Sequence, residues 1–427
     1  MRDCHFRGAR RWKTPISPMN TLPLGHLFLQ IAVILITCKI CSFIMRRVGQ
    51  PSVIGEMIAG VFLGPSLLGL LAPDISAWLF PPASKPVLNE IAQMGLTLYM
   101  FTVGLEFRTD LLSQRARSAF AVSFAGMAAP FVLGALLSLP LHQTGGFYGD
   151  GISPAMAAVF TGAAMCVTAF PMLARIIRER GLAGTTAGTL ALASGSLDDV
   201  AAWILLAGVI GAVQGDALLV VWTLLGAGAY LLVCRTVAPL LFKKGDDSSQ
   251  RLFERFGLLL ICLALGAWFT DQIRLFAVFG AFFLGVFVPR GKLTDYAIDK
   301  ITPLTTLFLL PLFFTYSGLN TQIQLLNSPT DWLFTGLIIL AAVAGKMGAC
   351  YGAARICREN HADSLTIASL MNARGLMELI MLNIGLQAGI ISPSLFSAMV
   401  VMAIVTTLMA APFFELARRR AARSHQV

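Results

Sequence analysis

Apolar residues fill stretches of membrane-crossing length along nearly the whole chain, and charged residues collect in the short gaps between them. A bilayer core is crossed by about 20 predominantly apolar helical residues. Runs of that kind fall at roughly 24–44, 51–71, 87–106, 118–140, 153–176, 184–213, 216–241, 254–271, 274–289, 301–318, 333–356, 364–388 and 393–416. The pattern predicts an all-α polytopic membrane protein with about thirteen transmembrane helices. The eighth and ninth runs are separated only by "DQIR" (Asp271 to Arg274).

The gaps orient the bundle. Gaps after odd-numbered runs carry Arg46 and Arg47; Arg108, Arg115 and Arg117; Arg178 and Arg180; Lys243, Lys244 and Arg251; Arg290, Lys292 and Lys300; and Arg358. Gaps after even-numbered runs carry little more than Lys85 and Arg274. Basic loops stay on the cytoplasmic side, so the odd gaps and the C-terminus are expected in the cytoplasm, with the N-terminus outside. Three segments follow: a basic extension over 1–20 expected to be disordered, a transmembrane domain over 21–418, and a basic cytoplasmic tail over 419–427. The extension, "MRDCHFRGARRWK" at its start, is too basic to cross easily and lacks a signal peptide's apolar centre.

Composition narrows the function classes. Of 427 residues, 56% are hydrophobic and 13% charged, where soluble domains carry about 25% charged. The net charge of +10 does not indicate nucleic acid, because the basic residues sit in loops rather than on one patch. Eight Cys show no secreted spacing, and "CKIC" (Cys38 to Cys41) lies within an apolar run, so buried thiols are expected. The five His are scattered and form no metal-ligand set. "GAGAY" (Gly226 to Tyr230) is too short for a dinucleotide fingerprint and reads as close helix packing. No cofactor is expected, and no nucleophile–base pair marks an enzyme.

The informative residues are charges at mid-membrane. In "ALASGSLDDVAAWILLAGVIG" (Ala191 to Gly211), Asp198 and Asp199 stand at the middle of the sixth run. A membrane-buried Asp costs roughly 2.5–3.5 kcal/mol on insertion scales, and adjacent carboxylates repel when both ionise. Lys346 is at the middle of the eleventh run and Arg374 near the middle of the twelfth. Thr168 and Pro171 lie just past the centre of the fifth, and Gly375 follows Arg374. Pro171 and "NARGL" (Asn372 to Leu376) are expected helix breaks, tolerated at this depth only where buried or lining a wet cavity. A salt bridge between Asp198 and Lys346 that merely holds helices together is the bland reading; one Lys cannot neutralise both acids. Arg374 reads equally as a structural counter-charge. The breaker and acid pair in runs 4–6 and the Lys and breaker in runs 11–13 are offset by seven, so the two triplets would cross in opposite directions. Such inverted repeats, with two broken helices crossing at the midplane, are a transporter signature.

The chain also resembles monovalent cation:proton antiporters, in the branch of plant cation/proton exchangers and bacterial glutathione-gated potassium efflux systems. The stretches that carry the resemblance are "RRVGQPSVIGEMIAGVFLGPSLLG" (46–69), "MGLTLYMFTVGLEF" (94–107), "VTAFPMLARIIRERG" (167–181), "SLDDVAAWILL" (196–206), "LPLFFTYSGLNTQ" (310–322) and "MNARGLMELIMLNIG" (371–385). The resemblance implies Asp199 as ion-binding carboxylate, Asp198 as its neighbour, Thr168 as the hydroxyl at the unwound helix, Lys346 as the partner of Asp198, and a homodimer. Many relatives carry "RGE" where this chain has "RGLMEL", which moves the acid to Glu378, and Asn320 stands where the plant type often has Lys. A cytosolic nucleotide-binding regulator is not expected.

Together these readings predict a secondary antiporter, of the bacterial inner membrane, exchanging Na⁺ or K⁺ for protons by alternating access around the paired acids. Proton and cation would compete for Asp199, and the empty site, a bare carboxylate, would cross poorly. Release of a proton from Lys346 on cation arrival would make exchange electrogenic; a permanent Asp198–Lys346 pair predicts one-for-one exchange. The rival readings are a cation channel, which needs no proton coupling, and a cation-coupled symporter, which needs a roomy solute pocket.

Overall fold

The structure, a computed structural model, describes residues 24–107, 116–182, 184–214, 217–243, 249–319 and 321–424. The basic extension over 1–20 lies outside the described residues, as do Arg108, Arg115, Lys244 and Asn320. The principal helices are α1 (Leu24–Arg47), α2 (Ser52–Leu63), α3 (Lys85–Glu106), α4 (Ala116–Thr144), α5 (Pro154–Cys166), α6 (Phe170–Glu179), α7 (Thr186–Gln214) and α8 (Ala217–Leu241). They continue with α9 (Ser249–Gln272), α10 (Ala277–Phe287), α11 (Lys292–Leu304), α12 (Leu310–Leu319), α13 (Pro329–Ile356), α14 (His361–Met371), α15 (Leu376–Gln387) and α16 (Pro393–Ser424). Among the described residues there is no strand beyond an isolated bridge, Tyr148 to Ile391.

Each predicted apolar run falls mainly on helix. Nine spans among the described residues are long and apolar enough to cross a membrane, and three apolar helices are shorter: Pro154–Cys166, Ala277–Phe287 and Met377–Gln387. The first and third of these are halves of the predicted broken helices. The second is α10, read from the sequence as 274–289. Its start is delayed because Arg274 and Phe276 take left-handed backbone angles, φ 62° and 63°, which no helix accommodates. The tenth run differs at its start: α11 begins at Lys292 and joins α12 through a π turn over Thr305–Leu309. Its first turns, "KLTDYAIDK", are amphipathic, with Lys292, Asp295, Asp299 and Lys300 charged, so the apolar run begins only after them. At the other end, α16 continues to Ser424, so the backbone of most of the stretch read as a tail extends the last helix.

The helices pack as two groups. One comprises α4 to α7 with α13 to α16: α4 lies against α5, α7 and α13, and α14 lies against α7, α13 and α16. The other comprises α1 to α3 with α8 to α12, where α3 lies against α10 and α12, and α2 against α1 and α12. The principal contacts across the seam are α7 on α8, α6 on α3 and α16 on α2. Close approach within the second group needs glycine: a Cβ on Gly104 would collide with the Phe282 carbonyl, and one on Gly285 with the Phe101 carbonyl. That pairing sets the level of α10 against α3.

Candidate ion-binding site

The first break separates α5 from α6. Val167 is extended (φ −67°, ψ 140°), and Pro171 occupies the opening turn of α6. Proline lacks the N–H that a continuous helix would need there, and it is well suited to a helix's first turn. The second break, at residues 372–375, separates α14 from α15, with Asn372 closing one helix and Gly375 opening the other. The breaks meet: the Ala169 N–H donates to the Ala373 carbonyl at 3.2 Å. The α16 hydroxyls hold the second break, Thr407 accepting from the Arg374 N–H and donating to its carbonyl, while the Asn372 amide donates to the Thr406 carbonyl.

Asp198, Thr168 and Lys346 come together at the first break. The Lys346 ammonium donates to Asp198 Oδ2 at 2.9 Å and to the Cys166 carbonyl, freed at the end of α5, at 2.8 Å. Thr168 Oγ1 donates to the same Asp198 oxygen at 2.5 Å. All three side chains are fully buried. Asp199 does not join them. Successive helix positions are about 100° apart, so as Asp198 turns inward to Lys346, Asp199 turns to the seam between the helix groups. There it shares a pocket of about 10 Å³ with Met100 of α3, Ser196, and Val278 and Phe282 of α10. The start of α6 at Phe170 lies close to its carboxylate, and Oδ1 has no hydrogen-bond partner.

Arg374 and Glu378 form a second buried pair, at 3.8 Å. None of the Arg374 guanidinium nitrogens and neither Glu378 oxygen has a hydrogen-bond partner. The sequence reading left both roles open, and the structure places both side chains, fully buried, in the same helix group as Asp198 and Asp199.

The seam is closed toward the far end of α6. Phe170, Phe107 and Phe282 make edge-on contacts across it, with centroids 5.4–6.4 Å apart. Beyond them, Arg175 grips Glu56 of α2 through two nitrogens, at 2.6 and 2.9 Å. Arg178 pairs with Glu106 of α3, and Arg180 with the Gly49 carbonyl and with Glu415 of α16. The sequence reading missed this cluster, although Glu56 was a visible signal: an acid in an apolar run requires a partner. It also missed the Cys166 carbonyl, the start of α6 at Phe170 beside Asp199 and the Thr406–Thr407 brace, of which only the last has a side-chain signature. The Cys residues are buried or half-buried free thiols among the described residues.

The comparisons agree with this architecture. Residues 32–416 match the model of the family described as sodium/hydrogen exchanger, transmembrane. The chain is 39% identical to the Na(+)/H(+) antiporter NhaS4 of Synechocystis, over 92% of this chain and 97% of that protein. It is 36% identical to Cation/H(+) antiporter 17 of Arabidopsis thaliana, covering 92% of this chain and 48% of the relative. It is 31% identical to K(+)/H(+) antiporter 1 of Saccharomyces cerevisiae, covering 94% and 47%. The chain thus spans about half the length of its plant and yeast relatives. A sodium proton antiporter of Methanocaldococcus jannaschii has a similar fold, with a TM-score of 0.59 over 91% of this chain and 96% of that one, at 13% identity. These relatives are named as transporters rather than enzymes, and the chain, an integral membrane protein, belongs to the sodium/hydrogen exchanger family.

Proposed function

We propose that the protein exchanges a monovalent cation, Na⁺ or K⁺, for protons, by alternating access around Asp199 and Asp198. The observation that carries the reading is the split between the two neighbouring acids: Asp198 is held by Lys346 and Thr168, whereas Asp199 keeps an unpartnered oxygen at the seam. A buried carboxylate with no counter-charge is costly. Proton or cation relieves that cost, and one carboxylate oxygen can take only one of them at a time. Either occupant lowers the barrier to moving the site between the two sides; the bare carboxylate raises it. Competition with that barrier makes exchange obligatory.

Thr168 and Asp198 are the further oxygen donors assigned to the cation in this reading. The helix ends supply the rest of the field: the N-terminus of α6 faces the acids, and the freed carbonyl of Cys166 faces Lys346. The two breaks, each flanked by a helix on either side, are consistent with thirteen crossings and an inverted repeat built from α4 to α7 and α13 to α16. The working form is a homodimer in the bacterial inner membrane with its C-terminus in the cytoplasm. A channel is disfavoured because the seam is shut by the Phe170 contacts and the Arg175 cluster on one side. A symporter is disfavoured because the pocket at Asp199, about 10 Å³, has room for about one water-sized occupant.

The test is Asp199→Asn in proteoliposomes with an imposed proton gradient. Asn keeps the shape and removes the charge, so cation-driven change in internal pH should vanish while the protein stays folded. Near-normal flux in this variant would sink the assignment.

A further inference from the structure

A second cavity adjoins the Asp199 pocket from within the other helix group. Between α3 and α9 lies a cavity of about 710 Å³. One wall is the polar face of α3, with Asn89, Glu90, Gln93 and Thr97; Asp271, at the end of α9, stands on the other. Its floor is the start of α10, Phe276 to Val278. The cavity exists because α10 is short. Gly104 of α3 is level with Gly285 of α10, and the two helices run parallel, so Thr97, seven residues before Gly104, is level with Val278. Above that level α3 continues through residues 85–96, roughly 18 Å at 1.5 Å per residue, while α10 has ended.

Val278 belongs to both spaces: it floors the large cavity and walls the small pocket at Asp199. On α3, Thr97 lines the first and Met100, one turn on, lines the second. The layer between the cavity and the carboxylate is therefore about one side chain thick. At the other end, among the described residues, the Phe107–Phe170–Phe282 contacts and the Arg175, Arg178 and Arg180 pairs fill the seam.

We infer that this cavity is the aqueous route by which the cation reaches Asp199 from the side carrying Lys85 and Asp271, with Glu90 and Asp271 recruiting cations at its mouth and Met100 and Val278 as the final barrier. The inference rests on the antiport reading above. A groove with like-signed carboxylates at its mouth concentrates counter-ions and speeds their arrival, and the effect weakens with salt. The amides of Asn89 and Gln93 and the Thr97 hydroxyl then continue a line of oxygens toward the barrier.

The experiment labels cysteines in the full-length protein in membranes. Thr97→Cys lines the cavity; Ile261→Cys, on α9 and 58% exposed on the outer surface of the bundle, serves as the lipid-facing control. A membrane-impermeant cationic methanethiosulfonate is added from the Lys85 side, and modification at each position is followed by mass spectrometry. Thr97→Cys should react at least about tenfold faster than Ile261→Cys, and about tenfold faster with the cationic reagent than with an anionic one of equal size. Glu90→Gln with Asp271→Asn should erase that charge preference. In flux assays the same pair should raise the half-saturating cation concentration several-fold at low ionic strength and less at high. Equal, slow reaction at Thr97→Cys and Ile261→Cys would show a crevice filled by lipid and overturn the route. Fast reaction without charge preference would overturn the recruiting role. Labelling does not depend on transport, so either result is distinct from failure of Asp199 as the exchange site.

Discussion

Two ion pairs are buried in the same helix group, and they are built differently. Lys346 and Asp198 meet at 2.9 Å, with further bonds from Lys346 to the Cys166 carbonyl and from Thr168 to Asp198. The pair ties α13, α7 and the end of α5 into one knot. Arg374 and Glu378 stand 3.8 Å apart, four residues apart in sequence, and none of their charged atoms has a hydrogen-bond partner. Coulomb attraction is only about 30% stronger at the shorter separation. Hydrogen bonding is what separates them: desolvated charges are offset only when the geometry also satisfies their donors and acceptors. The first pair is therefore bonded well enough to fix a structure. The second lies at the opening of α15, where a carboxylate also meets the positive end of the helix.

The sharpest way to break this contrast is to strand one charge of the first pair. Lys346→Ala should cost about 3–5 kcal/mol of stability, because Asp198 is left buried and unpaired; thermal unfolding in detergent would read it. Asp198→Asn with Lys346→Gln should recover much of that loss. The double variant also separates two roles. If the pair is only structural, exchange keeps the parent's response to membrane potential in proteoliposomes. If Lys346 carries a coupled proton, exchange through Asp199 persists but its response to potential disappears. A parent that ignores potential would defeat the coupling role at once.

A smaller effect tests the third member of the knot. Thr168 gives Asp198 a hydrogen bond that valine cannot supply, so Thr168→Val should cost about 1–3 kcal/mol. If the hydroxyl also contacts the cation, part of that cost appears as weaker apparent affinity, about tenfold per 1.4 kcal/mol, with saturated turnover less affected. Thr168→Ser should restore affinity. Unchanged affinity at several pH values would reduce Thr168 to a packing residue.

How much of this was legible in the sequence follows from where each signal resides. Long apolar runs report helices because every backbone polar group must be satisfied inside a bilayer, and each predicted run does fall mainly on helix. The broken helices were legible through Pro171 and the "NARG" segment, whose backbones cannot continue a helix. Asp198, Asp199 and Lys346 stood out because charges at that depth are costly. What stayed illegible is carried by backbone and by geometry. The Cys166 carbonyl and the start of α6 at Phe170 have no side-chain signature. That Asp198 and not Asp199 takes Lys346 was legible through the family resemblance alone, because it depends on a 100° turn of α7 that hydropathy does not position. The Arg175 to Glu56 pairing links residues more than a hundred positions apart, and the short α10 turns on two left-handed residues that hydropathy does not register.

The smallest expected effect is at the second pair, and it is the one that tests the contrast itself. Glu378 accepts no hydrogen bond, so replacing it with Gln removes only the attraction across 3.8 Å and a share of the helix-end interaction. Arg374 keeps its backbone bonds to Thr407 in the variant, and the break is not released. Glu378→Gln should therefore cost less than Lys346→Ala, about 1–2 kcal/mol, and Arg374→Gln with Glu378→Gln should be close to neutral, as expected when an imperfectly bonded buried pair is replaced as a unit. Exchange through Asp199 should persist in both, with apparent cation affinity within about threefold of the parent, a shift of about 0.7 kcal/mol. Unfolding curves and proteoliposome flux on the same samples decide the matter. A folded Glu378→Gln protein without exchange would make Glu378 a transport carboxylate, and the contrast between the two pairs would fall.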